Sequence, residues 1–417
     1  MSDGPGADRP VARTPLDDEV AARIRRRGPI PFAEVMDLAL YDPQHGFYAA
    51  GGGAGRRGDF LTSPEVGPLF GAVVARALDG WWEEAGRPDP FVVVEAAAGN
   101  GMLARTILGA GPVCADLLTY VLVERSAALR ARHDEHLELV APELAFPPEL
   151  DPDRDAPGDA GRAVEASAAT GPRVVSLGSL PAFPCADVVL ANELLDNLPV
   201  VLLEATGDGD RNWAEVRVAL GADDRSLVEL LVPAAPALAA RARRLVPDAV
   251  PGSRIPLATT AADWLRQALD TVRHGRVVLL DYADDTPALA RRPVHEWLRT
   301  YRGHERGLDP LAAIGTQDIT CEVPVDQLDA LMPIDRNESQ AAFLARHGIE
   351  ELVEEGRRTW TERAHIGDLE AVRGRSRIRE AEALVDPEGL GAFRVLEWHP
   401  RGEPRPSGPV GPSVVSA

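Results

Sequence analysis

Phe91-Val92-Val93-Val94-Glu95-Ala96-Ala97-Ala98-Gly99-Asn100-Gly101 restricts the fold more than any other stretch of the chain. A short apolar run that ends in glycines and continues into Met102-Leu103-Ala104 predicts a buried parallel strand, a tight loop and a helix over 102–108. That order opens a nucleotide-binding βαβ unit. Glycines let the backbone approach a ligand, and the helix start offers N–H groups to an anion.

The nucleotide is chosen by charge. Gly99-Asn100-Gly101-Met102-Leu103-Ala104 fits the G-x-G-x-x-A form of the dinucleotide fingerprint. Glu95, however, ends the strand, and a carboxylate facing a diphosphate is repelled in a low-dielectric cleft. S-adenosylmethionine (SAM) carries an ammonium and a sulfonium, which Glu95 favours, and a single carboxylate for the helix start. The next apolar run, Tyr120-Val121-Leu122-Val123, ends in Glu124, 25 residues beyond Gly99. This is near the roughly 20-residue offset at which an acid binds ribose hydroxyls. Glu95, Gly99, Gly101 and Glu124 are therefore the candidate cofactor-binding residues. An α/β core with polar strand ends and no ligand is the competing reading of these residues.

Composition narrows the function classes. With 417 residues, 45% hydrophobic and 26% charged, the chain has the balance of a globular protein with a large core. No apolar run is long enough to span a bilayer, so membrane insertion is not expected. A net charge of −21 argues against a nucleic-acid groove, which rewards basic residues. All 44 basic residues are arginine, which excludes Schiff-base and P-loop lysine chemistry. Cys114, Cys185 and Cys321 lack metal or redox spacing and fit a reducing cytoplasm. His133 and His136 lie in a charged stretch without a third ligand and read as a solvated helix face, so no metal is expected.

Along the chain, the pattern predicts tails over 1–16 and 401–417 and a helical N-terminal region over 17–89. A nucleotide-binding core follows over 90–290, with further strands at 174–177, 186–191 and 277–281. An acidic, proline-rich stretch over 141–172 reads as a mobile insertion. Alternating segments over 200–232 read as an inserted antiparallel β region, and 291–400 as a C-terminal substrate-side region. The strand over 186–191 runs into Asn192-Glu193-Leu194-Leu195-Asp196-Asn197-Leu198-Pro199. Strand ends of one sheet share a crevice, so Asn192 and Glu193 should face the same ligand as Glu95 and Gly99. Glu193 and Asp196, three apart, would share one side of a helical turn, or simply favour a helix start. Thr62-Ser63-Pro64-Glu65 has the spacing of a capping box, and Tyr301-Arg302-Gly303-His304 reads as a loop.

These segments, in this order, resemble the MidA family of SAM-dependent methyltransferases, which includes a mitochondrial arginine methyltransferase that supports respiratory complex I assembly. The likeness runs from Phe32-Ala33-Glu34-Val35-Met36, Ala39-Leu40-Tyr41-Asp42-Pro43 and Gly46-Phe47-Tyr48 through Gly58-Asp59-Phe60-Leu61-Thr62-Ser63-Pro64-Glu65 and Phe70-Gly71 to the glycine loop. It continues with Ala191-Asn192-Glu193, Asp196, Leu198-Pro199, Asp281-Tyr282, Tyr301-Arg302-Gly303-His304, Asp318-Ile319-Thr320 and Asp386-Pro387. Three departures stand out, one being Ala283 where a glycine often follows Asp-Tyr in the family. Ala96 and Ala97 replace the Leu and first Gly of the family's loop, and Ala97 is expected to take an ordinary negative φ. After Pro199 comes the apolar Val200-Val201-Leu202-Leu203, where the family has a polar residue beside an aromatic.

The resemblance implies a Class I, Rossmann-like methyltransferase sheet with SAM as cofactor and a protein as methyl acceptor. It implies that Glu193 and Asp196 align an arginine guanidinium, and that Asn192, Asp59, Phe60, Thr62 and Ser63 help bind the cofactor. Tyr301, Arg302 and His304 would stand on the substrate side, with a respiratory complex I subunit as one partner. A non-catalytic assembly protein and a small-molecule methyltransferase remain as alternatives, suggested by Ala97 and by Val200-Val201-Leu202-Leu203. The oligomeric state is not legible.

Overall fold

The computed structural model describes residues 13–49, 62–146, 171–207, 213–302, 305–307 and 309–400. Its centre is a seven-stranded sheet in the order Arg336–Ser339, Arg394–Trp398, Val272–Asp281, Ala186–Asn192, Phe91–Ala96, Leu118–Val123, Arg173–Leu177. The last five are parallel to one another. Arg394–Trp398 pairs antiparallel with Val272–Asp281, and Arg336–Ser339 pairs antiparallel with Arg394–Trp398, so that it runs in the direction of the five. Phe91–Ala96 and Leu118–Val123 are buried along their whole length, as expected of central strands covered on both faces.

One face carries the helices Pro68–Glu84 and Met102–Gly109, whose Phe70, Val73, Trp81 and Ile107 pack against Val93 and Tyr120. The other carries Thr259–Thr271, whose Leu265 packs with Val94, Val189 and Val277. From Phe91–Ala96 the chain proceeds to strands on one side, then returns and continues on the other. The reversal lies between Phe91–Ala96 and Ala186–Asn192, where doubly wound sheets bind ligands. The fold is the doubly wound nucleotide-binding sheet that the strand pattern implied, in the Class I arrangement that the family resemblance implied.

A second, antiparallel sheet joins Val201–Ala205, Trp213–Leu220, Leu227–Pro233 and Arg254–Leu257, and it recruits Ile30–Pro31 from near the N-terminus. Val200, Leu202, Val216 and Val218 share a core with Leu16, Phe32, Met36 and Phe47. The apolar run after Pro199 is therefore buried packing surface. No helix among the described residues is long and apolar enough to cross a membrane.

Two local expectations fail. Thr62 precedes the short helix Ser63–Val66, but its side chain makes no cap hydrogen bond. The following helix is capped instead by Glu380, whose Oε2 accepts from the Leu69 amide at 2.8 Å. His133 is not on a solvated face: it is fully buried, because its ring spans the gap between the glycine loop and the strand Arg173–Leu177.

Candidate active site

The loop after Phe91–Ala96 winds through left-handed backbone at Ala97 (φ 54°), Gly99 (φ 57°) and Gly101 (φ 83°). The ordinary negative φ expected at Ala97 is thus corrected. The ladder ends there, and the Ala98 amide turns aside to donate to Val123 O at 3.1 Å. Three side chains hold the loop. Glu124 accepts from the Gly99 amide (2.9 Å) and the Ser126 amide (2.7 Å), one on each oxygen. His133 Nε2 lies 3.0 Å from Gly99 O and Nδ1 2.9 Å from Ser176 Oγ, so Nε2–H donates to the loop carbonyl. Asn100 Oδ1 accepts from the Met102 amide at 3.2 Å, taking up one donor of the helix start.

The loop opens on a cavity of about 610 Å³ at the switch point. Glu95 lines it, with an exposure of 3%. Burial pushes its carboxyl up to about 8, partly offset by the Tyr120 hydroxyl, which donates to it at 2.6 Å. Burial also raises Glu124 against the pull of its two amide donors. Met102, Leu103, Leu129, Leu180 and Trp264 add apolar wall, and Tyr41 and Tyr48 reach in from the N-terminal region.

Asn192 and Glu193 lie on the same cavity, across from Glu95. Glu193 leaves the strand in a left-handed conformation (φ 52°), followed by the 3-10 turn Leu195–Asn197. Asp196 is placed differently from Glu193: it is buried beneath the cavity wall and does not line it. The turn with its φ reversal at Glu193 replaces the single helical face that the three-residue spacing suggested. Glu193 is pushed up to about 8 by burial and by nearby Asp281, and Asn192 Nδ2 donates to its Oε1 at 3.0 Å. Asp281 is raised to about 7 by burial, against hydrogen bonds from the Leu195 and Asp196 amides. Asp196 lies well above the usual carboxylate range because it is buried beside Asp281, Glu193 and Asp318. Asn192 Oδ1 and Asp196 Oδ1 are buried without a hydrogen-bond partner among the described residues.

The remaining expected site residues scatter. Thr62 lines the cavity, with Pro64 and Glu65. Ser63 does not: it is fully buried and its hydroxyl donates to Gln340 Oε1 at 2.9 Å, because it anchors a helix start to the C-terminal region. Gly101 stands behind the loop against Leu137 and His133, not on the cavity. Tyr301 and Arg302 sit on the strand Leu298–Arg302, away from the cavity wall; the Tyr282 phenol is raised by burial first, then by Glu193, Asp196 and Tyr301. Asp59, Phe60 and His304 lie outside the described residues. Spacing gave no role to Tyr41, Tyr48, Asn197, Asp281 or His133. Tyr41, Tyr48 and Asp281 sat in the matched segments and Asn197 between matched Asp196 and Leu198, which was the available signal.

The family model described as "S-adenosyl-L-methionine-dependent methyltransferase" matches residues 73–341. The chain belongs to that family, the MidA methyltransferases it resembles. The zebrafish (Danio rerio) mitochondrial protein arginine methyltransferase NDUFAF7 is 26% identical over 346 residues, 79% of this chain and 76% of the relative. The Drosophila melanogaster homologue is 44% identical, but over 93 residues only, 22% of this chain and 21% of that protein. A Burkholderia thailandensis superfamily member crystallised with S-adenosyl-homocysteine superposes with a TM-score of 0.73 at 27% identity, covering 92% of this chain and 91% of that one.

The cofactor of this MidA methyltransferase is SAM, and the residues present fit it. Glu124, fixed by two amides at a strand end, keeps lone pairs for ribose hydroxyls. The apolar wall suits an adenine. Glu95, buried and short of positive charge, suits the cationic end.

Proposed function

We propose that this protein transfers the methyl group of SAM to a guanidinium nitrogen of an arginine on a partner protein. The observation that carries the reading is the acid-rich far wall of the cavity. Glu193 lines it, Asp196 and Asp281 stand behind it, and one buried acceptor of a lining residue, Asn192 Oδ1, has no partner among the described residues. An unpaired acceptor beside carboxyls matches a group with several N–H donors and a positive charge, and guanidinium offers five. The relatives named as protein arginine methyltransferases support the same acceptor. The apolar Val200-Val201-Leu202-Leu203, which suggested a small-molecule acceptor, is largely spent in the core of the inserted sheet. A respiratory complex I subunit is the first candidate partner that the family likeness offers.

Bound SAM supplies a methyl group on a positively charged sulfur, and the S–CH3 electron pair stays with sulfur. Glu193 orients the guanidinium, whose pKa of about 12.5 or above keeps it charged in water. Burial raises the Glu193 carboxyl; two cations in the cavity would favour its carboxylate, whose proton passes to solvent as they bind. As the N–CH3 bond closes, that nitrogen gives up one proton, and the Glu193 carboxylate takes it. Positioning of this kind supplies roughly 7–11 kcal/mol in favourable cases.

The test is incubation with methyl-labelled SAM and paired peptides that differ only in Arg or Lys at one position, followed by acid hydrolysis and amino-acid analysis. Label in methylarginine, formed about 100-fold or more slowly but still measurably in Glu193→Gln while SAM still binds, is the expected result. Label in lysine peptides, or only in small-molecule extract, ends the arginine reading.

A further inference from the structure

The turn that carries Glu193 is clamped at both ends by side chains that the methyl transfer above does not use. Glu193 has φ 52°, a conformation a non-glycine residue keeps only where its surroundings over-determine it. On the sheet side, the Glu193 amide donates to Leu280 O at 2.8 Å, and Asp281 Oδ2 accepts from the Leu195 (2.8 Å) and Asp196 (3.3 Å) amides. On the far side the turn ends at Asn197, 6% exposed. Its Nδ2 donates to Asp318 Oδ1 at 3.0 Å and Ile319 O at 3.1 Å, which fixes the amide orientation. Its Oδ1 then faces the Tyr48 hydroxyl at 3.0 Å, and that hydroxyl is also 3.2 Å from Asp318 Oδ1.

Tyr48 lines the cavity, stacks on Tyr41 with centroids 5.5 Å apart, and meets the edge of Phe47 at 5.1 Å. Its ring is held by those contacts, so its hydroxyl arrives at Asn197 with little freedom left to lose. Three distant segments, Gly46-Phe47-Tyr48, Asn197 and Asp318-Ile319-Thr320, thus meet at one hydrogen-bonded node at the end of the catalytic turn. We propose that Tyr48 is a positioning residue for methyl transfer, which through Asn197 and Asp318 locks the turn 193–197 and keeps Glu193 in its left-handed, cavity-lining conformation. The inference rests on the reading of Glu193 as the acceptor-aligning carboxylate, and does not depend on which acceptor it aligns.

Tyr48→Phe keeps the ring and its stacking and removes only the hydroxyl. Amide hydrogen exchange on the full chain loaded with S-adenosyl-homocysteine reads the clamp directly. Exchange over 193–198 should quicken by about tenfold or more in Tyr48→Phe, with 91–101 unchanged and S-adenosyl-homocysteine affinity within about twofold. Unchanged exchange over 193–198 overturns the proposal whatever the acceptor. The kinetic arm uses the arginine peptide of the preceding assay. There Tyr48→Phe should lower kcat by about 10- to 100-fold with Glu193 present, and by less than about twofold in a Glu193→Gln background, since a residue acting through another is not additive with it. Equal losses in both backgrounds mean that Tyr48 acts elsewhere and also overturn it. A protein that methylates no arginine peptide yet shows the exchange change loses the arginine reading and keeps the clamp.

Discussion

At the scale of single residues, the cofactor loop holds an alanine where the backbone suits a glycine. Ala97 sits at φ 54°, a conformation costing an L side chain roughly 1–2 kcal/mol, whereas glycine there would lose about 0.5–1 kcal/mol more chain entropy on folding. The two nearly balance. Ala97→Gly should therefore leave stability unchanged or raise it by up to about 1 kcal/mol, without loss of SAM affinity. Thermal unfolding and calorimetric titration check this, and a clear loss of stability would show that the methyl packs usefully. Glu95 supports a second expectation. Its carboxyl is raised from 4.5 to about 8, chiefly by burial. Between those values the folded chain holds a proton that the unfolded chain has released, so this group's contribution to stability falls as pH rises through that window. A sulfonium nearby favours the ionised form. The affinity ratio of SAM to S-adenosyl-homocysteine should therefore rise by several-fold from pH 6 to pH 9, the two ligands sharing every other charge. Glu95→Gln, which cannot titrate, should flatten most of that rise. An equally steep ratio in the variant would remove Glu95 from the effect.

At the scale of elements, what was legible followed local pattern, and what was missed depended on distant partners. The strands now seen at Phe91–Ala96, Ala186–Asn192 and Trp213–Leu220 were readable because buried parallel strands are unbroken apolar runs and the inserted ones alternate. The start of the helix Pro68–Glu84 was misread. Thr62 and Glu65 have the right spacing for a local cap, but the acceptor is Glu380, 311 residues beyond Leu69, and no window of sequence contains both. Gly67 fits the same contact, since a Cβ there would fall 2.2 Å from the Glu380 carboxyl carbon. Glu380→Ala leaves the Leu69 amide buried without an acceptor, at a cost of about 1–3 kcal/mol. The same variant should weaken SAM binding, because Thr62, Pro64 and Glu65, at the start of that helical region, line the cavity. Full retention of both Tm and SAM affinity would show that the carboxylate caps nothing of consequence. His133 was misread for the same reason: its charged neighbours implied solvent, while its partners, Gly99 O and Ser176 Oγ, are 34 and 43 residues away.

At the scale of the whole molecule, charge bears on the choice among acceptors. The chain carries a net charge of −21, which surrounds the cavity with a negative field. Such a field raises the encounter rate of a cation and is screened over a Debye length of about 30 Å at 10 mM salt but about 10 Å at 100 mM. Steering acts on the approach of the acceptor, whereas transfer itself takes place in a cavity where salt screens little. For an arginine peptide, kcat/KM should therefore fall several-fold between 10 and 300 mM NaCl, while kcat measured at saturation stays nearly constant. A peptide with two extra glutamates beside the target arginine should start lower and change less, because added negative charge cancels the attraction. A neutral small-molecule acceptor would give a flat profile in both quantities. The salt series thus separates a cationic protein segment from a small apolar acceptor, whichever compound first shows turnover. A flat kcat/KM for the arginine peptide would mean that the acidic surface plays no part in choosing the acceptor, leaving recognition to the few atoms around Glu193.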